Sequence, residues 1–240
     1  RVMQRLLWTA AAAMTGVLVN AYLAGFQNAK MSTYMAQLRS SANDPMICQG
    51  VLIDPHYALF SRGCAQNHDE ADKVVVGSSR TNGGLGDGEL ISVLKKFYSV
   101  DRTRDFAMVQ LARPSNFTPV KILWDDVAPG KVVWLRGWHP FNSNLSLNRL
   151  VETTVQVIPN NKCQFKLNRY VRDSQVCGEN DGIDSCSSFI SGSLITELRG
   201  RDYLIGTLFV GNCEYEPVYQ IFSRLSADRT FIESFLSKGT

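Results

Sequence analysis

Cys48-Gln49-Gly50-Val51-Leu52-Ile53, followed by Ser61-Arg62-Gly63-Cys64, is the stretch on which the fold turns. Its first part lies in a short apolar run, residues 47–53, bounded by a cysteine on the entry side and by Asp54 and Pro55 on the exit side. Runs of the same kind recur at 74–77, 106–111, 132–135, 204–210 and 218–225. Several alternate with period two, and Gly, Asn, Asp and Pro stand between them. Short alternating runs separated by turn residues point to an all-β barrel or sandwich. Only the last segment reads as helix: Ser226 is placed to cap it, Phe231, Ile232, Phe235 and Leu236 form one apolar face, and Gly239 is placed to end it.

The chain has 240 residues, 45% of them hydrophobic and 20% charged. That suffices for one large all-β domain, or two smaller subdomains, with a proper core. The formal net charge of +3 is spread along the chain without a Lys/Arg run, which argues against nucleic-acid binding. The six cysteines form no CxxC pair and none lies at zinc-finger spacing from a histidine. They therefore indicate disulfides and an oxidising compartment, and no metal. The glycines at 83, 84, 86 and 88 make a flexible loop, because no helix with a phosphate-binding lysine follows them. No cofactor is expected.

Arg1 and Arg5 precede an uncharged stretch over residues 6–28, the pattern of a secretory leader. Small residues place cleavage near Ala21, giving a signal peptide over 1–21 and a mature domain over 22–240; Met3 is a possible initiator. The stretch is also long enough for an uncleaved signal anchor, which thinning of its hydrophobicity by Thr9, Thr15, Gly16 and Asn20 disfavours. Asn116-Phe117-Thr118 and Asn144-Leu145-Ser146 are candidate glycosylation sequons in a secreted chain.

In order along the chain, several segments resemble those of trypsin-like serine proteases. Residues 48–53 resemble the CGGxLI strand, and Cys64 closes the segment that ends in AAHC in that family. Asp105-Phe106-Ala107-Met108-Val109-Gln110-Leu111 resembles DIALIxL, Gly137-Trp138 resembles GWG, and Asp184-Ser185-Cys186 resembles the segment before the nucleophile. Ile221-Phe222-Ser223-Arg224-Leu225 resembles the VYTxV ending. The resemblance implies a double six-stranded β-barrel with a C-terminal α-helix and three disulfides: Cys48–Cys64, Cys163–Cys177 and Cys186–Cys213. Cysteine counting alone leaves fifteen pairings open. The phrase from Pro114 to Lys121 is most similar to the glucanase inhibitor proteins of oomycetes, inactive homologues within the same family.

Acyl transfer in this fold needs a serine activated by a histidine that an aspartate orients. By the resemblance, the three positions are Gly63, Asp105 and Ile190. Gly63 supplies no proton acceptor. A one-residue slide would place Ser191 at the nucleophile position, but a serine without a base is a poor nucleophile. His56, His68 and His139 are the only histidines, and all three read as surface residues. Ser188 stands at the oxyanion-loop glycine, and Phe189 replaces the aspartate that would receive a new N-terminal amine. Tyr22-Leu23-Ala24-Gly25 resembles the activated N-terminus only vaguely and follows no Arg or Lys. Asp105 is expected to persist as a buried, hydrogen-bonded strand-end carboxylate. Asp184 matches the base of a basic-residue specificity pocket, yet Phe209 and Val210 alter its wall and Gln220 replaces a pocket glycine. The Gln220 side chain is expected to fill the pocket and to hydrogen-bond Asp184.

These losses favour a secreted, monomeric pseudoenzyme that binds another secreted protein as an inhibitor or decoy. The resemblance implies a host endo-β-1,3-glucanase as its partner. The aromatics at 138–141 and 209–219 are the expected contact residues. Two alternatives stand beside this: an adhesion or carbohydrate-binding module, and a serine hydrolase built on Ser191. No stable membrane association is expected after leader cleavage.

Overall fold

The structure is a computed structural model. It describes residues 32–81, 86, 88–101, 103–138, 150–180, 192–212 and 217–237, together with the short strand Gln27–Asn28. The leader at 1–21, the glycines at 83 and 84, and Gly239 lie outside the described residues.

Strands β2 (Met35–Arg39), β3 (Cys48–Asp54), β4 (Tyr57–Phe60), β5 (Lys73–Val76), β6 (Glu89–Tyr98) and β7 (Ala107–Leu111) close a barrel in the order β2-β3-β4-β7-β6-β5. A second ring is made by β9 (Val132–Trp138), β10 (Leu150–Ile158), β11 (Gln175–Asn180), β12 (Ser193–Leu198), β13 (Arg201–Asn212) and β14 (Val218–Arg224). It runs β9-β10-β11-β14-β13-β12 and closes through β12 on β9. Short β1 (Gln27–Asn28) adds to β10, and β8 (Lys121–Ile122) pairs parallel with β13. The double six-stranded barrel is the architecture expected. Closure leaves few free sheet edges, which is how antiparallel sheets of this size avoid unpaired backbone.

Each apolar run of the sequence falls on a strand, and β3 and β14 are buried almost throughout, as short continuous apolar runs bounded by turn residues are in a core. Gly50 on β3 shows how tight the first barrel is. A Cβ there would meet Leu59 O and the Phe60 ring at 2.5 Å, so only hydrogen fits. The second barrel is filled by Val133, Leu135, Val151, Val155, Val157, Val176, Leu194, Ile205, Leu208 and Phe222. Trp138, Ile195 and Leu204 from the second sheet join the cluster of the first barrel, so the two barrels share one apolar seam.

That seam also carries a charge. Arg136 on β9 is 1% exposed. Its guanidinium donates to Glu152 at 2.7 Å, to the Tyr34 hydroxyl at 2.6 Å, to Ser32 at 3.3 Å and to Asp202. Tyr34 and Ser32 lie where the chain enters the first barrel; the other three belong to the second. A buried guanidinium is tolerable only when its donors are taken up in this way.

Among the described residues three helices accompany the strands: α1 (Arg62–Asn67), α2 (Asn160–Leu167) and α3 (Arg229–Glu233). The first two escape periodicity because each is too short to build an apolar stripe. The C-terminal helix is present but shorter than expected. A 3-10 turn, Leu225–Asp228, precedes it, and Asp228 stands at its N-cap position. Ser226 does not cap it; its hydroxyl donates to Asp126 at 2.7 Å. Ile232 is fully buried, and Phe235 packs among Tyr57, Phe97 and Phe231 with ring centroids 5.0–5.3 Å apart.

Two of the three implied disulfides are within the described residues. Cys48 bonds Cys64 and Cys163 bonds Cys177, with Cα separations of 6.0 and 5.9 Å. Cys186 and Cys213 lie outside them. Among the described residues no helix is long and apolar enough to cross a membrane.

Candidate functional site

The site begins at the first disulfide. β4 ends at Phe60, and the chain turns into α1 through Ser61, whose hydroxyl accepts from the Cys64 N–H at 3.4 Å as an N-cap. This places Gly63 on the first turn, directly beside Asp105, which precedes β7. The Gly63 N–H donates to Asp105 Oδ1 at 2.7 Å. The Ser61 hydroxyl donates to Asp105 Oδ2 at 2.6 Å. Arg62 N–H reaches the Asp105 carbonyl at 3.2 Å, and its guanidinium donates to the Ser99 carbonyl.

Gly63 and Asp105 are thus in direct contact. A Cβ on Gly63 would stand 3.6 Å from Asp105 Oδ1. The position is spacious enough for a side chain, and the chain has none. Both carboxylate oxygens are instead engaged by the α1 N-terminal turn. Asp105 is half-buried, not buried as expected, because Gly63 leaves that side open to solvent. Ser61 is the residue that sequence reading missed. Its signal was a serine opening a short segment after a strand, the usual mark of an N-cap.

His56 and His68 do not reach this carboxylate. His56 is exposed at the β3–β4 turn, with Nδ1 4.0 Å from Asp54. His68 ends α1, with Nδ1 3.5 Å from Glu70. His139, Ile190, Ser191, Ser188, Phe189 and Asp184 lie outside the described residues.

Gln220 is buried, at 1% exposure, on β14, in register with Gly178 and Gly211 on its two neighbours. Its Oε1 meets no hydrogen-bond donor among the described residues. Next to it the β13–β14 register shifts between Leu208 and Val210, leaving Phe209 at a bulge. A bulge re-aims the side chain it carries. Phe209 is half-buried, and the Arg169 guanidinium sits 5.3 Å above its ring centroid.

Two expected contact aromatics are corrected. Trp138 is 1% exposed and belongs to the apolar seam, and Tyr219 is 4% exposed beneath α2. Both point inward because barrel closure puts their side of the strand against neighbouring elements. Asn116 is exposed; its side-chain amide donates to Glu89 at 3.1 Å. Asn144 lies outside the described residues.

The comparisons agree with this architecture. Residues 24–232 match the model of the family described as Trypsin. The chain is similar to glucanase inhibitor protein 1 of Phytophthora sojae, 30% identical over 223 residues that cover 86% of the chain and 84% of the relative. It is 33% identical to glucanase inhibitor protein 2 of Phytophthora infestans over 225 residues, 86% of the chain and 85% of the relative. Tryptase of Mus musculus is 25% identical over 244 residues, 90% of the chain and 89% of the relative. The double barrel, the paired cysteines and the family match over most of its length place one statement beyond inference: the chain belongs to the trypsin family.

Proposed function

We propose that the protein is a secreted, non-catalytic member of the trypsin family that inhibits a host endo-β-1,3-glucanase by binding it. The observation that carries the non-catalytic half is the engagement of Asp105 by Ser61 and Gly63. Where the resemblance places an imidazole there is a hydrogen atom, and the carboxylate that would orient it serves the backbone of α1. Ile190 carries no nucleophilic atom at all, and Ser191 without a base is a poor nucleophile. The inhibitor half is supported by relatives named glucanase inhibitor proteins over more than four-fifths of the chain. Fold alone does not assign a target.

The same reading makes residues 1–21 a leader and 22–240 the mature, monomeric domain, with glycans at Asn116 and Asn144. Cys186 and Cys213 form the third disulfide. Gln220 fills the old specificity pocket against Asp184.

The test is direct. Hydrolysis of a β-1,3-glucan by a secreted plant endoglucanase is followed while purified protein is added. The rate is expected to fall as the protein is titrated. An unchanged rate at roughly hundredfold molar excess removes the glucanase as target. Separately, covalent labelling of Ser191 by a fluorophosphonate would overturn the non-catalytic reading.

A further inference from the structure

We propose that the outer face of α2 and the turn that follows it form a binding site for a neutral oligosaccharide. The proposal does not depend on glucanase inhibition and holds for the chain by itself.

The inner side of α2 is accounted for. Cys163 is fully buried in its disulfide with Cys177, within a cluster that includes Ile158, Val171 and Ile221, and Leu167 packs against it. The outer side is Asn161, Gln164, Phe165 and Asn168, spaced i, i+3, i+4 and i+7, which is one stripe of a helix. Asn168 then takes the left-handed conformation, φ 46° and ψ 44°, and turns the chain so that Arg169 and Tyr170 complete the same surface. These six residues line an open depression of about 480 Å³.

Its composition selects the ligand. Phe165 is 82% exposed and Tyr170 68% exposed, two rings presented to solvent beside a disulfide-braced helix. None of the carboxamides of Asn161, Gln164 and Asn168 is taken up by another described residue. A carboxamide both donates and accepts, as sugar hydroxyls require. An exposed ring offers a flat apolar face to the C–H face of a pyranose. Among the described residues the lining contains no carboxylate, so it does not suit a cation. Its one charge among the described lining residues, Arg169, is held over the Phe209 ring, and a single guanidinium is too little positive charge for a polyanion. An acyclic apolar ligand would leave three carboxamides without partners.

Because Arg169 bridges the depression to Phe209, the sugar site abuts the bulge beside Gln220.

The experiment is calorimetric titration of the full chain with hexamers of β-1,3-linked glucose, β-1,4-linked glucose and β-1,4-linked N-acetylglucosamine. At least one is expected to bind with a Kd of about 0.1–1 mM. Phe165→Ala and Tyr170→Ala are each expected to weaken it about tenfold, and Phe165→Trp to keep it. Both side chains are exposed, so thermal melts of the variants should match the parent. No binding of any hexamer at about 5 mM overturns the proposal, as does binding that both alanine variants leave unchanged. Binding of a sulfated hexamer alone overturns the neutral assignment. Loss of a protein partner in these variants, with no sugar bound by the parent, reassigns the face to a protein contact.

Discussion

Ser61 donates its hydroxyl hydrogen to Asp105 across 44 residues of sequence, at 2.6 Å, while accepting from the Cys64 N–H as the cap of α1. One small side chain therefore stabilises a helix start and takes up the carboxylate oxygen. Ser61→Ala removes both bonds. It is expected to cost about 1–2 kcal/mol in urea denaturation. Combined with Asp105→Asn, the loss should be less than the sum of the two single losses, since each variant breaks the same contact.

Gly63→His places an imidazole beside Asp105. Its Cβ would meet Oδ1 at 3.6 Å, an ordinary contact. The variant is expected to fold within about 1 kcal/mol of the parent and to leave activated esters unhydrolysed. Appearance of esterase activity, measured with a chromogenic ester, would mean that a competent serine already faces this position.

Arg136 is the buried charge that ties the chain entrance of the first barrel to the second. Arg136→Ala leaves the buried Glu152 and the half-buried Asp202 without their counter-charge and is expected to cost about 3–5 kcal/mol. Arg136→Met with Glu152→Gln should recover part of that loss, because no uncompensated buried charge remains at position 152. Denaturant midpoints of the three proteins check the order.

Tyr34 makes stability fall at alkaline pH. Burial pushes its hydroxyl up to about 12, and the nearby Asp202 carboxylate adds to the rise, against the opposing pull of Arg136. In the unfolded chain it ionises near 10. The folded state therefore keeps its full advantage below pH 10 and loses it as the pH rises from 10 towards 12. Tyr34→Phe is expected to flatten that loss, read from thermal melts between pH 9 and 12 (the range set by the tyrosine shift).

Glu89 acts at the other end of the scale. Burial alone would raise its carboxyl, but hydrogen bonds from Ser115, Arg113 and the Asn116 N–H outweigh burial and hold it below the ordinary glutamate range. A depressed folded value gives stability that is present above the unfolded value, about 4.3, and disappears as pH falls through the folded one. Glu89→Gln should destabilise the protein at neutral pH and make little difference in strong acid.

Much of the barrel was legible because a short apolar run bounded by turn residues is a local property. The runs at 47–53, 74–77, 106–111 and 218–225 carry their burial pattern in adjacent residues, and each lies on a strand. β6 was not legible. Only Ile91 among its residues is buried, Leu94 is 62% exposed, and Lys95 and Lys96 break the pattern, so its strand character comes from pairing with β5 and β7.

By itself, the sequence determined the all-β class, because runs of apolar residues between turn residues are a local property; the cysteine pairing and the reading of Gly63 came from the resemblance. Tertiary structure decided what those residues touch. It set Ser61 against Asp105, sent Trp138 and Tyr219 into the interior, and left Phe165 and Tyr170 outside. The reason is physical. Residue type and spacing govern which side of an element is apolar, whereas the partner of a polar group and the cover of a ring are fixed only when distant strands close around them.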